Sequence, residues 1–188
     1  MAFNINDIRA NMALGGARPS QFNVLMTSPP GGLGVAAAAI AKIPFVVMAA
    51  SIPETAIGTI QLPYFGRKIK VPGDRTYQPW TVQVLCDEDF LVRNFFETWD
   101  ANINSPIGNL RSGISSATAE WQATAQVIQY SKTGLPIRIY EMQSCWPSQV
   151  SPVELAWGST DQIEIFNVTF EYDEWVLLPG PTGDGGPQ

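Results

Sequence analysis

The 188-residue chain carries 11 Lys and Arg against 17 Asp and Glu, a net charge of −6, and no histidine. The missing imidazoles exclude Ser-His-Asp triads, Cys-His dyads and His-ligated metal sites, and the acidic balance argues against a basic phosphate-gripping domain. The length fits one domain, able to bury roughly 70% of its unfolded surface without disulfide staples. Sixteen glycines and fifteen prolines favour short elements joined by turns over a helical bundle. Cys86 and Cys145 form no CxxC pair, so two free thiols in a reducing compartment are expected. The most apolar run, Leu33 to Ala41, is about half of a bilayer span and lies inside the chain. The first residues are polar and mixed in charge, unlike a secretory signal. A soluble protein made in the cytoplasm, with no membrane partner, is the expectation.

In chain order, Asn6 or Asp7 is placed to cap a short helix to Met12, stopped by Gly15-Gly16, which makes residues 1–20 an arm. Phe22 to Thr27 reads as a strand, broken at Pro29-Pro30-Gly31-Gly32. Ala36 to Ala39 reads as loop or short helix ending at Pro44, within a loop insert over 29–44, and Phe45 to Ala50 as a buried strand. Thr59 to Leu62 and Lys68 to Val71 flank Pro63-Tyr64-Phe65-Gly66, which predicts a hairpin with a loop of about four or five residues. Pro72-Gly73-Asp74 has the chemistry of a further turn. Trp80 to Leu85 alternates, with Trp80, Val82 and Val84 on one face.

A helix is predicted from Asp87 to Ala101, with the Asp87 carboxylate as cap and Glu88 and Asp89 in the first turn. Leu91, Phe95 and Trp99 recur at four-residue spacing and give it an apolar face to lay on a sheet. Trp121 to Tyr130 alternates and should pair, through Gly134-Leu135, with Pro136 to Met142. A last strand is predicted from Gln162 to Trp175. Ile163 and Ile165 fall out of phase with Phe166, Val168, Phe170 and Tyr172, so a bulge or a switch of sheet is expected near Phe166. The single β domain then spans 21–178, followed by a flexible Gly/Pro-rich tail over 179–188.

Charge is unevenly placed. Arg67, Lys68, Lys70 and Arg75 cluster within nine residues, whereas no Lys or Arg follows Arg138 and acids including Glu141, Glu164 and Glu171 do. These are either an acidic sheet face and a solvated hairpin, or complementary surfaces that meet between copies, or a wall that repels a polyanion. Asp74-Arg75 is a solvated turn or a contact between subunits. The cations are alternatively a phosphate site, the six tryptophans a sugar-stacking surface, and Glu141 with Glu171 a glycosidase pair. Core packing accounts better for the tryptophans, and nothing in the sequence sets the two glutamates opposite each other. No catalytic residue, metal site or cofactor is expected.

The segment Gly66-Arg67-Lys68-Ile69-Lys70-Val71-Pro72-Gly73-Asp74-Arg75-Thr76, with Trp80-Thr81-Val82 and Asp87-Glu88 after it, resembles the tail-tube proteins of contractile-tailed phages of the T-even type. Gly16-Ala17-Arg18-Pro19 before the Phe22 strand, Trp146-Pro147, and Phe166-Asn167-Val168-Thr169-Phe170 with Tyr172 and Trp175 agree in order and spacing. The resemblance implies an antiparallel β-sandwich or barrel with one flanking α-helix. It implies six copies per ring, with strands joined into a lumen-lining barrel and rings stacked inside a contractile sheath. Tube proteins of type VI secretion and extracellular injection systems share that architecture and are the alternative, with a monomeric carbohydrate-binding sandwich behind them.

Under this resemblance Arg67, Lys68, Lys70, Asp74 and Arg75 make contacts between subunits or rings, and Glu141, Glu164 and Glu171 line the lumen. Partners would be further copies and the sheath, baseplate and tail-terminator proteins. Tape-measure protein and double-stranded DNA would pass through without specific binding. The product would be a virion tail assembled in the host cytoplasm. The stretch from Ser28 to Lys42 and the tail from Pro179 look longer than a compact member of that family needs.

Overall fold

A computed structural model of the chain describes residues 5–12, 15–28, 33, 36–110 and 121–179. In chain order the elements are α1 (Ile5–Asn11), β1 (Phe22–Ser28), α2 (Ala36–Val46), β2 (Val47–Ala50), β3 (Thr55–Tyr64) and β4 (Arg67–Tyr77). They continue with β5 (Trp80–Leu85), α3 (Leu91–Ile103), β6 (Ala123–Tyr130), β7 (Pro136–Val150), β8 (Ile165–Glu171) and β9 (Glu174–Leu178). Every strand pair is antiparallel. The predicted mainly-β antiparallel architecture with a packed helix is therefore the one adopted.

One sheet runs in the order β1-β6-β7-β8-β5-β2, with β9 also paired to β7. The 15-residue β7 belongs to two layers. Its first half lies between β6 and β9, and its second half pairs with β8. The hinge is Ser144, at φ 59°. Before it Tyr140 and Met142 are buried, and after it Cys145 and Pro147 are, so the alternation slips by one residue there. That slip is a β-bulge, which bends a strand and lets one face stay on the core across the bend.

The predicted phase change thus exists, but at other positions. The expected strand from Gln162 to Trp175 is two strands, β8 and β9, interrupted at Tyr172 and Asp173 directly opposite the Ser144 hinge. Near Phe166 there is no bulge. Ile163 precedes the strand and is 67% exposed, so it never competes with Phe166 for the core.

The core is continuous between the layers and the helices. Trp80, Val84, Phe166, Val168 and Phe170 from the second layer meet Ala125 and Met142 from the first. Helix α3 lays Phe95, Phe96 and Trp99 onto it, with Phe96 edge-on to Phe166 and Phe170. This helix begins at Leu91 rather than Asp87. The Asp87 carboxylate accepts from the Glu88 N–H and the Asp87 carbonyl from the Phe90 N–H, closing a separate turn. Asp89 accepts from the first helical N–H, Leu91.

The expected loop insert over 29–44 is also corrected. Residues 36–46 are helix, and Pro44 lies inside it instead of ending it. Ala39, Ile43 and Val46, at helical spacing, are buried in the core, and that packing outweighs the hydrogen bond proline removes near the helix end. Lys42 adds a clamp to Asp87 and Asp89, 2.5 Å and 2.6 Å away. The Phe45-to-Ala50 strand shrinks to β2, leaving Phe45 84% exposed at the helix end. Helix α1 buries no residue. Residues 29–32 and the tail from 180 onward lie outside the described residues.

Both cysteines are free and buried. Burial pushes the Cys145 thiol up to about 12, and burial with the nearby Glu164 carboxylate raises Cys86. At pH 8 the buried Cys145 thiol therefore stays protonated. A thiol reagent at that pH is expected to label neither cysteine in the native protein and both in urea, as read by mass spectrometry.

Candidate assembly surface

Strands β3 and β4 pair with each other and with no strand of the main sheet. Their hairpin is longer and its turn tighter than the sequence predicts. Only Phe65 and Gly66 lie between the strands, at φ 40° and 78°. Two successive residues with positive φ make the turn that matches strand twist in a two-residue hairpin. Glycine meets that demand freely, but Phe65 does not. A 92% exposed phenylalanine held there is neither a core residue nor the residue the turn prefers.

The predicted turn at Pro72-Gly73-Asp74 is a bulge inside β4. Ile57 pairs with Arg75 and Thr59 with Pro72, so Gly58 faces two residues, Gly73 and Asp74. A Cβ on Gly73 would sit 3.2 Å from the Gly58 carbonyl oxygen. The two backbones approach so closely there that a side chain on β4 would require the Gly58 backbone or the Ile60 side chain to give by a few tenths of an ångström.

Register divides the ribbon into two unlike faces. Tyr64 opposite Arg67, Leu62 opposite Ile69 and Ile60 opposite Val71 make one face. Pro63 opposite Lys68, Gln61 opposite Lys70 and, across the bulge, Ile57 opposite Arg75 make the other. Thus Lys68, Lys70 and Arg75 share the polar side, and Arg67 stands at the tip of the apolar side. Asp74 falls in the bulge. Among the described residues none of these five forms an ion pair. The apolar side is uncovered: Ile60, Leu62, Tyr64 and Ile69 are each more than half exposed. An isolated two-stranded ribbon is marginal in water and needs a further strand or packed surface.

The three acids expected on one wall are not together. Glu141 lies on the outer face of the first layer, accepting a 2.6 Å hydrogen bond from Gln126. Glu171 pairs with Trp146 on the far side of the Ser144 bend. Glu164 precedes β8 and lines a groove of about 770 Å³ under the β7–β8 connection, with Glu154, Leu155, Trp157 and Ile163. Leu155, Trp157 and Ile163 are strongly exposed there. On the helix, Phe95 and Trp99 are fully buried, and Leu91 is partly buried against the core. Sequence reasoning missed Trp157 and the apolar side of the ribbon. The signal was present in the alternation of Ile60, Leu62, Ile69 and Val71.

Trp157 is the one fully exposed tryptophan; Trp80 and Trp99 are core, and the other three are partly covered. No aromatic platform for a sugar is formed by it alone. No helix of the described residues is long and apolar enough to cross a membrane.

The sequence profile of phage tail tube proteins matches residues 17–178. The chain belongs to that family. Tail tube protein gp19 of Enterobacteria phage T4 is 33% identical over 132 residues, 70% of this chain and 79% of the relative. Among solved structures, one from the sheath/tube terminator of the PVC extracellular contractile injection system aligns at a TM-score of 0.61 with 12% identity, covering 87% of this chain and 96% of that one. One from the baseplate of the anti-feeding prophage aligns at 0.59 with 14% identity, covering 87% and 95%. These structures share the fold. This tail tube protein is a structural subunit of a phage tail tube.

Proposed function

We propose that six copies of this tail tube protein join edge to edge into rings. The rings stack into a hollow conduit inside a contractile sheath, and double-stranded DNA and tape-measure protein leave through it. The observation that carries this reading is the first layer. Among the described residues its strands β1, β6, β7 and β9 end in an unpaired edge at β1 and another at β9. Open edges are templates for pairing with another chain, and closing them around a ring removes them. The outer face of this layer supports an inward orientation. It carries Glu141, Glu174, Gln126 and Gln143 among the apolar Leu25, Ile128, Ile139, Val176 and Leu178, and its strand positions hold no Lys or Arg.

DNA is held by cations that release its counterions, with affinity rising steeply as phosphate contacts accumulate. A wall whose only charges are carboxylates, repeated around a ring, offers the duplex no cation to hold it and leaves it free to slide. Glu141 keeps its lumen role in this reading and Glu174 joins it. Glu171 and Glu164, beyond the bend, face elsewhere. The subunit works by shape and charge, without catalysis or cofactor. Sheath, baseplate and terminator proteins are its outer and end partners, met after synthesis in the host cytoplasm. A tube reconstruction by cryo-microscopy tests this. Sixfold rings with Glu141 and Glu174 on the lumen wall are expected. A lumen lined by the second layer, or one carrying net positive charge, overturns it.

A further inference from the structure

We infer that the β3–β4 ribbon of one copy seats its apolar side in the groove beneath the β7–β8 connection of a neighbouring copy. Trp157 is the anchor, and Glu154 and Glu164 receive the ribbon's cations. The inference rests on the tube reading and names the partner surface within it.

Three features match the ribbon to this groove. The first is apolar content. Ile60, Leu62, Tyr64 and Ile69 form an uncovered stripe, and Leu155, Trp157 and Ile163 are apolar side chains with no cover of their own. A stripe of that kind rarely remains in water on a stable surface, and an aromatic anchor in a concave site is the usual centre of binding energy.

The second is charge. The ribbon presents Arg67, Lys68 and Lys70 near its tip, whereas residues 151–164 carry Glu154, Asp161 and Glu164 and no cation. Arg67 stands on the apolar side beside Tyr64, where a docked ribbon brings it to the groove. Lys68 and Lys70 leave from the opposite side, and their long stems let the ammonium groups reach the rim. Opposite potentials on two exposed surfaces fix register and exclude wrong pairings.

The third is independence. The ribbon pairs with no other strand, and the groove lies on the outer side of the second layer, beside Gln83 and Asn167. Two different patches on one chain make a head-to-tail contact. Such contacts generate rings when they close and filaments when they do not.

The test uses the full-length protein and two double charge reversals: Lys68→Glu with Lys70→Glu on the ribbon, and Glu154→Lys with Glu164→Lys on the groove. Melting curves first establish that both variants fold. Each alone is expected to lower the pelleted tube fraction about tenfold or more in low salt, and an equimolar mixture of the two is expected to recover it, since every ribbon then finds a groove of opposite sign. Trp157→Ala is expected to lose pelleting that no charge variant restores. If the ribbon reversal abolishes tubes while the groove reversal and Trp157→Ala leave them intact, the ribbon docks elsewhere. The same holds if the mixture fails to recover. Either result overturns this inference and leaves the tube reading standing. If the unaltered protein forms neither rings nor tubes, the tube reading itself falls, and this inference with it.

Discussion

Replacing Trp99 by alanine is expected to cost about 3–5 kcal/mol, a large share of the roughly 5–15 kcal/mol that holds a typical domain together. Trp99 is 1% exposed. Its ring lies 5.7 Å from that of Phe95 and 6.3 Å from that of Phe170, tying α3 to the second layer. Its indole N–H also donates a 2.8 Å hydrogen bond to the Trp121 carbonyl, and the substitution removes that with the ring. For a chain of this size the midpoint of thermal unfolding should fall by about 6–20 °C. Circular dichroism melting checks this against Phe45→Ala, which removes a ring of similar size that is 84% exposed and should leave the midpoint unchanged. An unchanged midpoint for Trp99→Ala would mean that α3 does not seal the core.

The second large effect is on assembly and spares the fold. Gly73→Val places side-chain carbon where the Gly58 carbonyl carbon and Ile60 Cγ1 both lie at 3.3 Å. Two of the three nearest atoms are backbone and cannot rotate away, so the bulge opens and the ribbon loses its register beyond it. Tube yield in a pelleting assay is expected to fall about tenfold or more, by the loss of a central contact. The melting midpoint should move little, because Ile60, Leu62, Tyr64 and Ile69 of the outer ribbon are each more than half exposed. Gly58→Ala is the control. Its Cβ would meet only the Asp74 backbone, at 3.4 Å and beyond, and both readouts should stay close to wild type. A Gly73→Val protein that pellets normally would show that the ribbon's shape is irrelevant to assembly.

The parts of the fold that answer to local physics were legible from residue order. Alternation placed Trp80, Val82 and Val84 on the core, and four-residue spacing did the same for Phe95 and Trp99. The errors share one cause. Sequence patterning treats every apolar residue as belonging to its own chain's core, and here many do not. Ile163 and Ile165 suggested a bulge because both were assigned an interior, but they are exposed beside the groove. Phe45 lengthened a predicted strand for the same reason. Pro63 and Phe65 are poor strand and turn residues and so suggest a loop at the hairpin tip, although β3 runs through Pro63. Ribbon edges tolerate a proline whose missing N–H would have faced solvent. Pro44 misled in the opposite direction, since packing of Ile43 and Val46 overrode a local helix breaker. The three glutamates expected on one wall lie apart in the fold because Ser144, an unremarkable serine in sequence, turns the sheet between Glu141 and Glu171.

The separation of the ribbon from the main sheet also bears on how such a protein diversifies. Stability constrains the sheet, the helices and the residues between them, whereas the exposed side chains of the outer ribbon and of the β7–β8 connection would, if they dock as inferred, be constrained mainly by each other. Matched changes can therefore accumulate on the two surfaces without passing through an unfolded ancestor. Each lineage would drift toward a private fit, with like charges and misplaced side chains rejecting subunits of another. In a cell infected by two related phages, that sorting would keep their tubes from mixing, although the subunits share a fold and a cytoplasm.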